Sequence, residues 1–265
     1  MHKRAFIIAA LLIILIVLVY NKKNTHAHNQ ATPSSVGHLA IIMDGNRRWA
    51  KKHGYKPWVG HQHGIAPLKA AVEFCIEHTI PYLTVYAFSL ENFKRSPQEL
   101  EYLFDVVAQE LVSTELENLF KNNIKVQFLG DRTKFPPQLQ QIIANVEEKS
   151  NYKIPQLTLN LLFCYGGRQE LVASVKALAA KVLTGELSPA DITEQHVEQH
   201  LWTAGLPNPD LIIRTGYQKR LSNFLPFQST YSELCFLDCY WPEVTKKHLE
   251  QALHEFESIK RNYGT

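Results

Sequence analysis

The chain has 265 residues, 28 Lys and Arg against 25 Asp and Glu, and 45% hydrophobic and 11% aromatic residues. This composition excludes a disordered, collagen-like or disulfide-stapled protein. A formal charge of +3, with no basic run interleaved with aromatics, gives no argument for a nucleic-acid partner.

The first element is apolar. Ala5 to Val19 runs without a polar residue between Lys3-Arg4 and Tyr20, and Lys22-Lys23 follow. A helix crossing a bilayer needs about 20 apolar residues, with a lower limit of about 17. The run is slightly short, but Tyr20 and the lysines can sit at the interface and extend it. An uncleaved anchor and a signal peptide compete; Thr25-His26-Ala27 is a poor cleavage site, so residues 1–20 are read as a transmembrane anchor. Basic residues on both sides leave its orientation open. Residues 21–37 are polar and aperiodic, a tether in which His26 and His28 are simply solvated.

From residue 38 onward short apolar, partly β-branched runs predict strands at 38–43, 82–88, 124–129, 157–163, 210–214 and 233–237. Amphipathic stretches predict helices around 64–78, 97–121, 136–149, 168–183, 193–201 and 243–260. Ser96-Pro97 suits a helix start, with a capping Ser and Pro in the first turn. Strands alternating with helices predict one α/β domain over 38–265, its mostly parallel sheet of about six strands flanked by helices. Cys75, Cys164, Cys235 and Cys239 contain no C-x-x-C pair, which points to a reducing compartment. Cys235 and Cys239 read better as two buried thiols than as half a zinc site. Leu68, Val72, Ile76, Leu103 and Val107 read first as core, and Trp202 and Trp241 as packing.

Polar residues gather at the strand ends, where open α/β sheets place ligands. The first strand runs into Asp44-Gly45-Asn46-Arg47-Arg48-Trp49, and the second into Ser89, Glu91, Asn92, Phe93 and Arg95. Arg214 ends the fifth, and Arg220-x-Ser222-Asn223 follows six residues later. Glu233 opens the last. Arginines concentrated at strand ends suit diphosphate, and Asp44 and Glu233 are candidate carboxylates for Mg²⁺.

These residues carry a resemblance. HLAIIMDGNRRWAKKHG (38–54), GH (60–61), YAFSLENFKRS (86–96), LNLLFCYGGRQEL (159–171), PDLIIRTG (209–216) and RLSNFLPFQSTYSELCFLDCYWPE (220–243) resemble, in order and spacing, the cis-prenyltransferases of the undecaprenyl diphosphate synthase type. The resemblance implies a fold with an apolar product tunnel, usually a homodimer. It also implies condensation of isopentenyl diphosphate with an allylic diphosphate such as farnesyl diphosphate in successive cis additions, giving a medium-to-long polyprenyl diphosphate, a precursor of glycosyl carrier lipid. By motif, Asp44 and Asn92 would be catalytic. Gly45, Asn46, Arg47, Arg48, Trp49 and His61 would surround the allylic diphosphate. Ser89, Leu90, Glu91, Phe93 and Arg95 would line the substrates, with Ser89, Asn92 and Arg95 implicated in proton removal. Arg214, Arg220, Leu221 and Ser222 would hold isopentenyl diphosphate, and Asp44 and Glu233 would share Mg²⁺.

The chain departs from the family pattern at Pro57, where a phosphate-binding Arg is usual and Lys56 is the available substitute, and at Tyr217 and Gln218, which replace Gly and Glu. A membrane tether suits an enzyme whose product enters the bilayer, with the catalytic domain on the cytoplasmic side, where isopentenyl diphosphate is expected. A non-catalytic partner subunit should have lost catalytic groups, and a generic phosphate- or lipid-binding module leaves Asp44 and Glu233 unexplained.

Overall fold

The structure, a computed structural model, describes residues 34–113 and 122–259. The predicted membrane anchor lies outside the described residues, among which no helix is long and apolar enough to cross a membrane. Six strands form one parallel sheet: β1 (His38–Ile42), β2 (Tyr82–Ser89), β3 (Ile124–Leu129), β4 (Leu157–Tyr165), β5 (Leu211–Arg214) and β6 (Glu233–Phe236). Their order is β3-β4-β2-β1-β5-β6. The helices are α1 (Asn46–Lys52), α2 (Gly60–His63), α3 (Ile65–Glu77), α4 (Pro97–Leu111), α5 (Pro137–Lys149), α6 (Gly167–Leu183), α7 (Glu194–Gln199) and α8 (Lys246–Ser258). All the described residues belong to one compact unit, Pro33–Thr265.

The period of two along β1 divides its side chains between the faces. Leu39 and Ile41 join the main core with Leu83, Val85, Leu103, Leu139, Leu249 and Phe256, while Ala40 and Ile42 join Leu162, Ile212, Phe224 and Leu225 on the other side. Both faces are covered at the sheet centre, so β1 and β5 read as continuous apolar runs, while the edge strands β3 and β6 are only partly buried. Val72 and Leu103 are fully core, and Leu68, Ile76 and Val107 pack against it partly buried. Trp241 is buried, and Trp202 packs edge-on against Tyr165.

Three expectations change. The helix from Pro97 ends at Leu111, and Val112 is 70% exposed; residues 114–121 lie outside the described set. Val36 and Gly37, placed in the predicted tether, pack with the domain: Val36 is in the main core, and the Gly37 and His38 amides donate to Asp210. Cys239 is buried but Cys235 only half-buried, its thiol against Glu255. Burial raises Cys164 to about 12 and Cys235 to about 11, so both thiols stay protonated. Among the described residues no group of three metal-ligating side chains forms.

Two buried polar networks fasten the layers. His38 donates from Nδ1 to the Pro207 carbonyl at 2.6 Å and accepts at Nε2 from Thr84, 2.7 Å away. Glu170, fully buried, accepts from the Tyr165 hydroxyl, the Thr203 amide and hydroxyl, and the Gln228 amide, fixing α6 to the loop before β6. Four donors replace the water that a carboxyl group loses on burial.

Candidate active site

The C-terminal ends of β1, β2 and β5 open into a cavity of about 780 Å³ lined by Asp44, Ser89, Glu91, Asn92, Arg168, Arg214, Ser222 and Asn223 over an apolar floor of Ile42, Met43, Tyr86 and Pro226. Asp44 follows β1 by two residues and is held from both sides. Arg48, one helical turn on, donates to Oδ1 at 3.0 Å, and Arg214, the last residue of β5, donates to Oδ2 at 2.9 Å. Arg214 is only 4% exposed; its Nη1 also donates to the Arg220 carbonyl and to Ser222 Oγ. Arg220 donates from Nε to Ser222 and from Nη1 to Gln218. One carboxylate thus joins the arginines of two separate motifs.

Glycine permits this closeness. Gly45 has φ +113, and a Cβ there would stand 3.0 Å from the Tyr240 Cα. Gly216, φ +84, passes so near Asp44 and Arg48 that a Cβ would lie 2.6 Å from the Arg48 guanidinium. Tyr240 is the ring over which Arg48 lies, and Tyr217, itself at φ +58, meets Tyr240 edge-on.

Ser89 caps the 3₁₀ turn Leu90–Lys94 reciprocally with Asn92: the Ser89 amide donates to Asn92 Oδ1 at 3.1 Å. That amide orientation leaves Asn92 Nδ2 for a ligand. Leu90 packs on the core and Phe93 stacks edge-on against Phe88. Leu221 packs beneath the site on the second core cluster.

Arg47, Arg95 and His61 do not line this cavity. They converge on Glu99 in the first turn of α4, which is 3% exposed and lies 3.3 Å from Arg47 Nε, 3.4 Å from Arg95 Nη1 and 4.0 Å from His61 Nε2. Sequence reasoning missed Glu99 because Ser96-x-x-Glu99 reads as a capping box; Ser96 does cap the Glu99 amide. Glu99→Ala leaves two guanidinium groups facing one another, and is expected to destabilise the fold by about 3 kcal/mol in urea denaturation.

Burial, then the charges of Arg95 and Arg47, bring His61 down to about 3; burial brings His38 to about 4. His61 is therefore neutral, accepts from Arg95 Nη1 at Nε2 and keeps Nδ1–H to donate. Since the unfolded chain takes up these protons near pH 6.5 and the folded chain does not, stability is full above that pH. It falls as pH drops toward 4, by at most about 3 kcal/mol for His38. Thermal unfolding across pH 7.5 to 4.5 tests this, with the decline expected to shrink in His38→Gln.

Other expected residues fall elsewhere. Asn46 donates to the Met43 carbonyl, and its Oδ1 is buried without a partner. Trp49 is flanked by His53 and His63 at 4.3 and 4.5 Å. Lys56 lies over the Trp58 ring. Within one chain the structure does not bring Glu233 beside Asp44. Glu233 opens β6 opposite Leu211, whereas the cavity lies beyond Arg214, three residues further along a parallel pair. At about 3.3 Å per residue, Glu233 is about 10 Å down the sheet, at the other rim.

Residues 42–264 match the Prenyltransf family model, described as undecaprenyl diphosphate synthase. A tritrans,polycis-undecaprenyl-diphosphate synthase (geranylgeranyl-diphosphate specific) from Thermococcus kodakarensis is 41% identical over 230 residues, covering 86% of each chain. A ditrans,polycis-undecaprenyl-diphosphate synthase ((2E,6E)-farnesyl-diphosphate specific) from Haemophilus ducreyi is 41% identical over 227 residues, 86% of this chain and 93% of the relative. Lavandulyl diphosphate synthase from Lavandula x intermedia, solved with dimethylallyl diphosphate, superposes with a TM-score of 0.83 at 34% identity, covering 87% of this chain and 99% of that one. The strand-end arginines, the parallel sheet and these likenesses agree: the chain belongs to the undecaprenyl diphosphate synthase family and is a cis-prenyltransferase.

Proposed function

We propose that the enzyme adds isopentenyl diphosphate to farnesyl diphosphate in successive cis steps, to decaprenyl or undecaprenyl length, as a precursor of glycosyl carrier lipid. The observation that carries this reading is the Asp44 carboxylate shared by Arg48 and Arg214. The allylic diphosphate lies on the Gly45–Trp49 turn, reached by Arg47, Arg48, Arg95 and His61. Isopentenyl diphosphate lies in the cavity on Arg214, Arg220 and Ser222, so the two substrates meet at Asp44.

In each cycle the allylic C–O bond breaks, the alkene of the five-carbon unit attacks the allylic carbon, and a proton leaves to give the new cis double bond and free diphosphate. Arg48, with Arg47 and Arg95, meets the charge that grows on the leaving oxygens. Ser89 and Asn92 orient the five-carbon unit through the free Asn92 Nδ2. Ile42, Met43 and Tyr86 shield the electrophilic carbon from water. Asp44 fits Mg²⁺, which takes one or two carboxylates and completes its shell with phosphate oxygens and water; bound there, the ion would stabilise the departing diphosphate. The growing chain follows the incompletely buried apolar strip of Leu90, Phe93, Leu100, Phe104, Val107 and Ala108. Each buried CH₂ adds about 0.8 kcal/mol, so a long product leaves slowly.

Residues 1–20 anchor the enzyme in the membrane, 21–33 act as a tether, and the catalytic domain faces the cytoplasm. A second copy covers the edge strand β6, where Leu234 is 45% exposed, giving a homodimer.

The test is a primer panel of dimethylallyl, farnesyl and geranylgeranyl diphosphates with labelled isopentenyl diphosphate, products resolved by length. Farnesyl diphosphate is expected to have the highest kcat/KM, with products of ten or eleven isoprene units. Preference for geranylgeranyl diphosphate, or products that stop after one addition, would overturn the primer or the chain length.

A further inference from the structure

The cavity wall carries one more cation, Arg168, which no role above uses. It is the second residue of α6, and its backbone is fixed by the loop that carries Arg220 and Ser222. The Gly167 amide donates to the Asn223 carbonyl at 2.9 Å and the Arg168 amide to Asn223 Oδ1 at 2.8 Å. Asn223 Nδ2 in turn donates to Gln169 at 3.0 Å and to Glu91 at 2.9 Å. One asparagine thus pins α6, the turn after β2 and the loop after β5 around the cavity. Because Asn223 takes up the first amides of α6, the helix start offers little to an anion, and what remains at that wall is the Arg168 side chain.

That guanidinium makes no hydrogen bond or ion pair among the described residues, whereas the other arginines near the cavity are committed. Arg48 and Arg214 hold Asp44, Arg214 and Arg220 hold Ser222, and Arg47 and Arg95 hold Glu99. Both terminal nitrogens of Arg214 are engaged, and its Nε is buried without a partner. A diphosphate entering beside Arg214 therefore finds its donors already taken by protein acceptors. Arg168 is the guanidinium on the wall that can bind phosphate without first giving up a bond.

We propose that Arg168 is a further diphosphate-binding residue, taking phosphate oxygens of isopentenyl diphosphate in the cavity that Arg214 and Ser222 also line. This rests on the reading of the cavity as the isopentenyl diphosphate site. Arg168 supplies the first contact, and Arg214 and Ser222 then exchange protein partners for phosphate.

The full-length protein and its Arg168→Gln and Arg168→Lys variants, checked for equal melting temperature, separate the possibilities in two assays. In steady state, Arg168→Gln is expected to raise KM for isopentenyl diphosphate about tenfold. KM for the allylic diphosphate should stay within about twofold, and Arg168→Lys should recover part of the loss. In calorimetry without turnover, the affinity for inorganic pyrophosphate should fall about tenfold in Arg168→Gln. Unchanged KM and unchanged pyrophosphate affinity in an active, folded variant would overturn the role of Arg168, as would an equal rise in both KM values. Should the wild type fail to use isopentenyl diphosphate, the reading of the cavity fails instead. The pyrophosphate titration then decides alone whether Arg168 binds phosphate: a loss in Arg168→Gln supports it and no loss refutes it.

Discussion

Asp44→Ala is expected to lower the rate of chain elongation by about 10³-fold or more while leaving the protein folded. The carboxylate is part-exposed and its removal opens no apolar cavity, so the fold should not depend on it. Its two oxygens hold Arg48 and Arg214, one from each side of the proposed reaction centre. Without it the two guanidinium groups repel, and the carboxylate that would hold a divalent ion is gone. Asp44→Asn keeps the shape and loses the charge, and should be nearly as inactive. Rapid-quench measurement of a single addition would check this, because it reads chemistry apart from slow product release. An Asp44→Asn enzyme with near-normal single-turnover rate would mean that Asp44 only positions its arginines.

Arg214→Leu should cost about 3 kcal/mol of binding to isopentenyl diphosphate, roughly a hundredfold in KM. Arg214 has three protein partners, and its loss frees Ser222 and the Arg220 segment as well as Asp44. Arg214→Lys should recover little, since an ammonium cannot meet Asp44 on one side and Ser222 on the other with a planar fork. Steady-state kinetics with each substrate varied in turn checks the split: KM for isopentenyl diphosphate should rise far more than KM for the allylic diphosphate.

The central strands were legible because both faces of the sheet are buried there: HLAII and LIIR are apolar runs whether or not their neighbours are known, while IKVQFL, on the edge strand β3, shows instead the alternation of a half-buried strand. Helix starts were legible where local chemistry marks them, as at Ser96-Pro97. The end of α4 was not, since the apolar period continues toward Leu119 while the helix stops at Leu111. Where a side chain goes within a motif is a tertiary matter. Arg95 follows Ser89 and Asn92 in sequence, yet it turns to Glu99 and His61 while they face the cavity. Glu99 was hidden by a plausible local role as a helix-capping residue. Glu233 could have been placed from the sequence, because a residue that opens a strand in a parallel sheet stands at the rim opposite those that follow strand ends.

Prenyl transfer at Asp44, between two arginine-bound diphosphates, is the central proposal. The most direct measurement is incorporation of labelled isopentenyl diphosphate by the full-length protein with farnesyl diphosphate, with and without Mg²⁺, beside Asp44→Ala. The expected result is a ladder of cis-polyprenyl products that requires the ion and disappears in the variant. Folded wild-type protein that incorporates no label, or Asp44→Ala protein that makes the same ladder, would contradict it.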